Sequence, residues 1–406
     1  MKRRCNMVKR CIIMMYILVL ALTIGSFNVW SATLPSKVRI AVVMPFTGPL
    51  ALNGQEVKEG AELAAKLIND RGGIKRRTKI ELIYGDSRCN PTNGVSATQR
   101  LIARGIDLYI GNYCSSVSLA TMPILKAAGI PQIILSYAPS ITAEARTPNS
   151  VRIGPSAPLE MAPLAKYAVT VNGDKTFAAL ALNNDFGRAM AEEFAKTVAK
   201  LGAKVVNFQY YQFGADFSTY LTKIKTMDVD GLLIIAMGND TISFTKSYFE
   251  LGLKTNVYTG DNFVDTQYVK NQKPKPQNLF YPWLYDDNSP RTKAVPPREA
   301  WIENFEKAFR AEYGREPTRN NVWGFACVRV FEQAIAALGT TNKKKIAEYL
   351  HSGAKFRTPF GHFGFEWCGQ AVNKAGIGKY KNETKLFLKG KSWGDDVIPD
   401  LCPTKK

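Results

Sequence analysis

The chain has 406 residues, a net charge of +20, seven cysteines and only two histidines. At roughly 100–200 residues per domain, this length favours two lobes, each able to bury its own core. With His351 and His362 as the only imidazoles and no CxxC pair, the composition argues against a structural zinc site and against a histidine base; both histidines are expected in loops.

Lys2, Arg3, Arg4, Lys9 and Arg10 precede an apolar run from Ile12 to Leu22, and Val29-Trp30-Ser31 places modest side chains at the −3 and −1 positions of a cleavage site. This is the order of a secretory signal over residues 1–31. An uncleaved membrane anchor would need about 20 apolar residues, more than the strict run supplies. No cysteine stands at the cleavage site, which disfavours a lipid anchor, and no later stretch is long enough to span a bilayer. The expected product is therefore exported, soluble and, in a two-membrane cell, periplasmic. Five positive charges leave with the signal, and the remainder carries +15. Its basic runs, Lys75-Arg76-Arg77 and Lys343-Lys344-Lys345, are not interleaved with aromatic residues, so nucleic acid is not expected as a partner.

Past the signal, β-rich runs alternate with amphipathic stretches. Val38 to Val43 reads as a buried strand, and Val57, Ala61, Ala64, Ala65 and Ile68 form a helical stripe that Gly72-Gly73 ends. Strands follow at Ile80–Tyr84, Leu108–Ile110 and Ile133–Leu135, with helices near Val95–Ala103 and Ser118–Ala127 between them. The rhythm restarts after Ile153. Helices near Leu159–Val169, Met190–Leu201, Tyr220–Met227 and Ser243–Leu251 alternate with strands at Phe177–Leu182, Val205–Phe208, Leu232–Ala236 and Asn256–Tyr258. Proline-rich residues 273–297 break the pattern, helices follow near Ala300–Tyr313 and Val322–Leu338, and residues beyond Phe356 show no clear period. Two such α/β sets imply two lobes, each a mainly parallel sheet flanked by helices.

No GxSxG, Walker A, HExxH or GxGxxG pattern occurs, and Pro45-Phe46-Thr47-Gly48-Pro49 stands where a cofactor loop would follow the first strand. No catalytic residue, metal or cofactor is expected, and binding is favoured over chemistry.

Three passages stand out: Ala41 to Pro49, then Gly60-Ala61-Glu62 with Ile68 to Ile74, then Ile110 to Ser116. Together they resemble the leucine/isoleucine/valine-binding family of periplasmic receptors that deliver amino acids to ABC importers, and Gly252 to Thr255 and Thr259-Gly260-Asp261 extend the match. The resemblance runs in order from about Val38 to Leu338 and is weak in the C-terminal tail. It implies two Rossmann-like lobes with three crossovers, residues 32–155 and 285–357 forming the N-terminal lobe and 156–284 and 358–406 the C-terminal one. It also implies a Cys89–Cys114 disulfide. Order along the chain makes Cys368 and Cys402 a second candidate pair, leaving Cys327 as a buried thiol.

The resemblance further implies an amino-acid-like ligand between the lobes, a membrane permease as partner, and a monomer. Ser115 would face the ligand carboxylate just before a helix, where free N–H groups favour an anion, a place that also suits an ordinary N-cap. Ser136, Tyr137 and Ala138 match the second carboxylate-binding loop, and Asp261 the acceptor of the ligand ammonium. Asn53, Phe186 and Met237 stand where the family often carries tyrosines, so the ligand need not be a branched-chain amino acid. Phe186 and Met237 also read as core residues. A ligand-sensing module of the same fold and an exported α/β enzyme are the alternatives.

Overall fold

The computed structural model describes residues 34–143, 147–263, 278–283, 300–371, 376–381, 384–389 and 402. The expected signal segment lies outside the described residues, as do residues 273–277 and 284–297 of the proline-rich stretch.

The first sheet begins with β1 (Lys37–Met44), whose side chains from Ile40 to Met44 are almost wholly buried on both faces, as a central parallel strand requires. β2 (Lys79–Asp86), β3 (Leu108–Ile110), β4 (Gln132–Ile134) and β5 (Ser150–Arg152) complete it in the order β2-β1-β3-β4-β5, every pairing parallel. α1 (Ala51–Asp70), α2 (Pro91–Ala103), α3 (Ser115–Ala127) and the short α4 (Ser140–Ala143) are its connections. α2 starts where Asn90 accepts from the Asn93 amide and Pro91 occupies the first turn, both good helix openers.

The chain then enters α5 (Ala157–Thr170), β6 (Thr176–Leu182), α6 (Asp185–Lys200), β7 (Lys204–Tyr211), α7 (Phe217–Lys225), β8 (Gly231–Ile235), α8 (Asn239–Glu250), β9 (Asn256–Thr259) and β10 (Leu279–Trp283). β13 (Gly376–Lys381) and β14 (Thr384–Lys389) join them in a second sheet ordered β14-β13-β10-β9-β8-β6-β7. It is parallel except where β13 pairs with β10 and β14 with β13. Rings of Phe177, Phe194 and Tyr258 pack edge-on or tilted at its centre, with Tyr258 stacked on Phe280.

Between β10 and β13 the chain returns to the first lobe through α9 (Ala300–Tyr313), α10 (Arg319–Leu338) and α11 (Lys343–Leu350). α10 crosses α1 at backbone contact. A Cβ on Gly60 would lie 1.8 Å from the Asn321 carbonyl oxygen, and one on Gly324 would lie 1.8 Å from that of Val57, so only glycine fits either position. Thr318 and Asn321 close a capping box at the start of α10.

The boundary expected after residue 357 falls later. The hairpin of β11 (Phe356–Thr358) and β12 (Gly361–Phe363) stays with the first lobe, because Arg357 exchanges hydrogen bonds with Gln333 of α10. Gln370 then pairs beside Arg152 and donates to the Gly154 carbonyl. Only at β13 does the chain rejoin the second sheet. His362 accordingly sits in β12 rather than in a loop, while His351 follows the last turn of α11.

Both expected disulfides are present. Cys89–Cys114 spans 5.5 Å and Cys368–Cys402 spans 5.6 Å between Cα atoms, and Cys327 is a buried free thiol inside α10. Among the described residues no single helix is long and apolar enough to cross a membrane, and no cluster of His, Cys, Asp or Glu is placed to hold a metal.

Candidate functional site

The first-lobe wall of the site is built by the loops that leave β3 and β4 at their C-terminal ends, where parallel α/β sheets present ligands with helix N-termini. α3 begins at Ser115, three residues earlier than its hydrophobic stripe predicts, and Cys114 is the N-cap residue. Ser115 therefore lies inside the first turn, among the N–H groups an α-helix leaves without intrahelical partners. Its hydroxyl accepts from the Ala138 amide at 3.1 Å and ties the two loops together. Ser118 and Ser136 add a hydroxyl pair at 2.7 Å.

A buried guanidinium holds the second loop. Arg152, at the end of β5, donates to the Ala138 carbonyl at 2.5 Å and to Thr142 Oγ1 at 2.7 Å, and its Nε reaches Gln370 Oε1 at 2.6 Å. Burial pushes its pKa down to about 9, still well above neutrality, so it stays a cation. The loop that carries Ser136, Tyr137 and Ala138 is thus fixed from behind by charge-assisted hydrogen bonds.

The second-lobe wall comes from the ends of β6 and β8. Asn184 caps α6 by accepting from the Gly187 amide at 2.8 Å, which sets Asp185 and Phe186 at the helix start. Met237 follows β8, and Gly238, at φ 58°, lies so close to the first lobe that a Cβ there would sit 2.6 Å from the Pro49 carbonyl oxygen. The lobes are in contact at this point.

Between the walls is a narrow pocket of about 10 Å³, partly open to solvent. Ser115, Tyr137, Phe186 and Met237 line it, together with Tyr113, Ser116, Asn184, Asp185 and the Cys89–Cys114 pair. Tyr137 meets Phe186 edge-on at 5.3 Å between ring centres. Ser136 and Ala138 are buried behind the wall and act through their hydrogen bonds. Asn53 also stands behind it, donating to the Tyr113 hydroxyl at 3.3 Å.

Asp261, just after β9, is buried as well. Its Oδ1 accepts from the Tyr137 hydroxyl at 2.9 Å and from Arg319 Nη1, which also donates to the Tyr137 hydroxyl. Arg319 is the first residue of α10, so this ion pair links the first lobe to the second, with both side chains essentially inaccessible. Its guanidinium stacks over Trp323 at 4.2 Å from the ring centre. Asn320 accepts from Arg319 and from the Tyr113 hydroxyl, each at 3.3 Å, and donates to Glu56 at 2.7 Å.

Glu160 of α5 lies behind Asp261 and accepts from its amide at 3.5 Å. Burial, and then the negative charge of Asp261, raise its pKa well above the usual carboxylate range, so it holds its proton. Burial likewise drives the Tyr137 hydroxyl well up and the Tyr113 hydroxyl to about 12, and both remain neutral donors.

Sequence reasoning missed Arg319, Asn320 and Glu160. For Arg319 a signal existed: a cation at the first position of a well-capped helix opposes the helix dipole, and an apolar neighbour such as Trp323 implies burial, so an acidic partner was required.

Two α/β lobes meeting over a pocket lined from the carboxyl ends of both sheets make the fold that of a type I periplasmic binding protein. A family model described as periplasmic binding protein matches residues 37–384, and the chain belongs to that family. The Leu/Ile/Val-binding protein homolog 1 of Brucella abortus is 25% identical over 338 residues, covering 82% of this chain and 87% of the relative. The leucine-, isoleucine-, valine-, threonine- and alanine-binding protein of Pseudomonas aeruginosa is 25% identical over 368 residues, covering 87% and 92%. Two solved structures share the fold. A leucine binding protein from Thermotoga maritima superposes with a TM-score of 0.77 at 23% identity, covering 86% of this chain and 97% of that one. A solute binding protein of an ABC transporter from R. palustris, in complex with benzoate, does so with a TM-score of 0.77 at 21% identity, covering 86% and 95%.

Proposed function

We propose that this chain is the exported solute-binding receptor of an ABC importer. It captures an amino acid or a related small carboxylate or amide between its lobes and delivers it, without covalent chemistry, to a membrane permease. The signal-like N-terminus supports release outside the cytoplasmic membrane, and the receptor acts as a soluble monomer. The single observation that carries the reading is the pocket itself: Ser115 and Ser116, in the first turn of α3, line it together with Phe186 and Met237 from the other lobe. That arrangement offers an anion site on one side and apolar surface on the other. Ligand contacts to both lobes favour the closed arrangement, and hinge opening releases the solute.

A thermal-shift panel of amino acids, aromatic acids and their amides tests this. A ligand at a hundredfold excess over its Kd should add about 2.7 kcal/mol of stability. Turnover of a panel member, or a panel without any stabilising compound, would overturn the reading.

A further inference from the structure

Asp261 occupies the position from which a receptor of this kind would accept a ligand ammonium, yet its carboxylate already receives a guanidinium from the protein. Arg319 and the Tyr137 hydroxyl both donate to Asp261 Oδ1, and all three side chains are buried. The pair is set by the fold: Arg319 is held at the start of α10 by the Thr318–Asn321 capping box and by stacking on Trp323. An arginine cannot shed its charge at any pH the protein meets, so an ammonium placed at Asp261 would share a carboxylate whose charge the guanidinium already balances and would add a buried positive charge.

The other acidic groups nearby do not replace Asp261. Glu160 is driven to its protonated form by burial and by Asp261. Glu56 is engaged by Asn320. Asp185 lines the pocket but is exposed, where its charge is screened and its position at the start of α6 already complements that helix dipole. With the buried pair neutral as a unit and Asp185 exposed to solvent, the first turn of α3 is the pocket's electrostatic feature on the first lobe, and it favours an anion.

We propose that Arg319 is the resident counter-ion of Asp261 and that the ligand is a small monocarboxylate without an α-ammonium group. Its carboxylate lies at Ser115 and Ser116, and its apolar body rests against Tyr137, Phe186 and Met237. This rests on the receptor reading above and narrows its ligand class.

Calorimetric titration of the purified protein with matched pairs tests it: 3-phenylpropanoate against phenylalanine, 4-methylpentanoate against leucine, and benzoate against phenylglycine. The member lacking nitrogen should bind at least tenfold more tightly in the best-bound pair. An amino acid that binds as tightly as its partner overturns the proposal and leaves the receptor reading standing, whereas no binding by any acid, amino acid or amide sinks both. Arg319→Gln, which exposes Asp261 to the ligand, should move the preference at least tenfold towards the amino acid. Arg319→Gln/Asp261→Asn, which removes both buried charges and guards against a folding failure of the single variant, should restore the preference for the acid. An Arg319→Gln preference equal to that of the unaltered protein overturns the proposal, as does a reversal in Asp185→Asn.

Discussion

The two walls of the cleft are made in different ways. The first-lobe wall is polar and cross-tied: Ser115, Ala138, Ser136 and Ser118 bond to one another, and Arg152 grips the same loop from behind. The second-lobe wall sets Phe186 and Met237 beside Asn184 and Asp185, with Asp261 set back and joined to the opposite lobe. Hydrogen-bond geometry tolerates little displacement, whereas apolar contacts are non-directional and a methionine adapts its shape readily. In the receptor proposed above, the first wall would fix where a head group sits and the second would govern which bodies fit behind it.

Cutting the link between the walls should have the largest effect. Asp261→Ala strands a buried guanidinium and is expected to cost about 3–5 kcal/mol in urea melts, while Arg319→Gln/Asp261→Asn should recover most of that loss. A double variant as unstable as Asp261→Ala would mean that the burial of polar groups, not charge, dominates the site.

Next comes the covalent tie of the polar wall. Cys89→Ser/Cys114→Ser opens a loop with a sequence separation of 25 and should lower stability by about 3 kcal/mol. Because Cys114 caps the helix that carries Ser115, carboxylate affinity should fall as well. Replacing the brace, Arg152→Met, should cost about 2–3 kcal/mol by leaving the Ala138 carbonyl and Gln370 unsatisfied. Ligand affinity that survives Arg152→Met unchanged would remove the distinction between a braced and an adaptable wall.

The effect at Glu160 is a slope with pH. Its folded pKa is raised, so the folded chain keeps a proton that the unfolded chain releases from about pH 4.3 upward. Unfolding then releases a proton, and this group's contribution to stability falls as pH rises through that window. Glu160→Gln should match the unaltered protein near pH 4 and exceed it increasingly towards pH 8. The smallest effect expected is that of Met237→Leu, under about 1.5 kcal/mol in stability, with changed selectivity among ligand bodies.

Much of this architecture is legible in the sequence because buried parallel strands read as short continuous apolar runs and their covering helices imprint a period of about 3.6. The expected β1, α1, β6, α6 and α10 all form, with ends displaced by a few residues. Short or composite elements escaped. β5 has only three residues, β10 contains Pro282 and makes its ladder partly with a strand more than ninety residues later, and three lysines disguise α11, whose buried stripe is Ile346, Ala347 and Leu350. The site divides along the same line. Ser115, Tyr137, Phe186 and Met237 are reached through the family resemblance, which places them just past strand ends. The partnership of Arg319 with Asp261 joins positions 58 residues apart in the chain, and no local pattern encodes it.

The reach of that arginine is decided some distance from the cleft. Gly60 and Gly324 let α1 and α10 touch backbone to backbone, and Arg319 projects from the start of the same α10. The crossing works as a fulcrum: a single methyl at either glycine would tilt the helix and swing its tip, and the guanidinium with it, off Asp261. Two missing side chains, neither of which lines the pocket, thus calibrate the ion pair buried behind it.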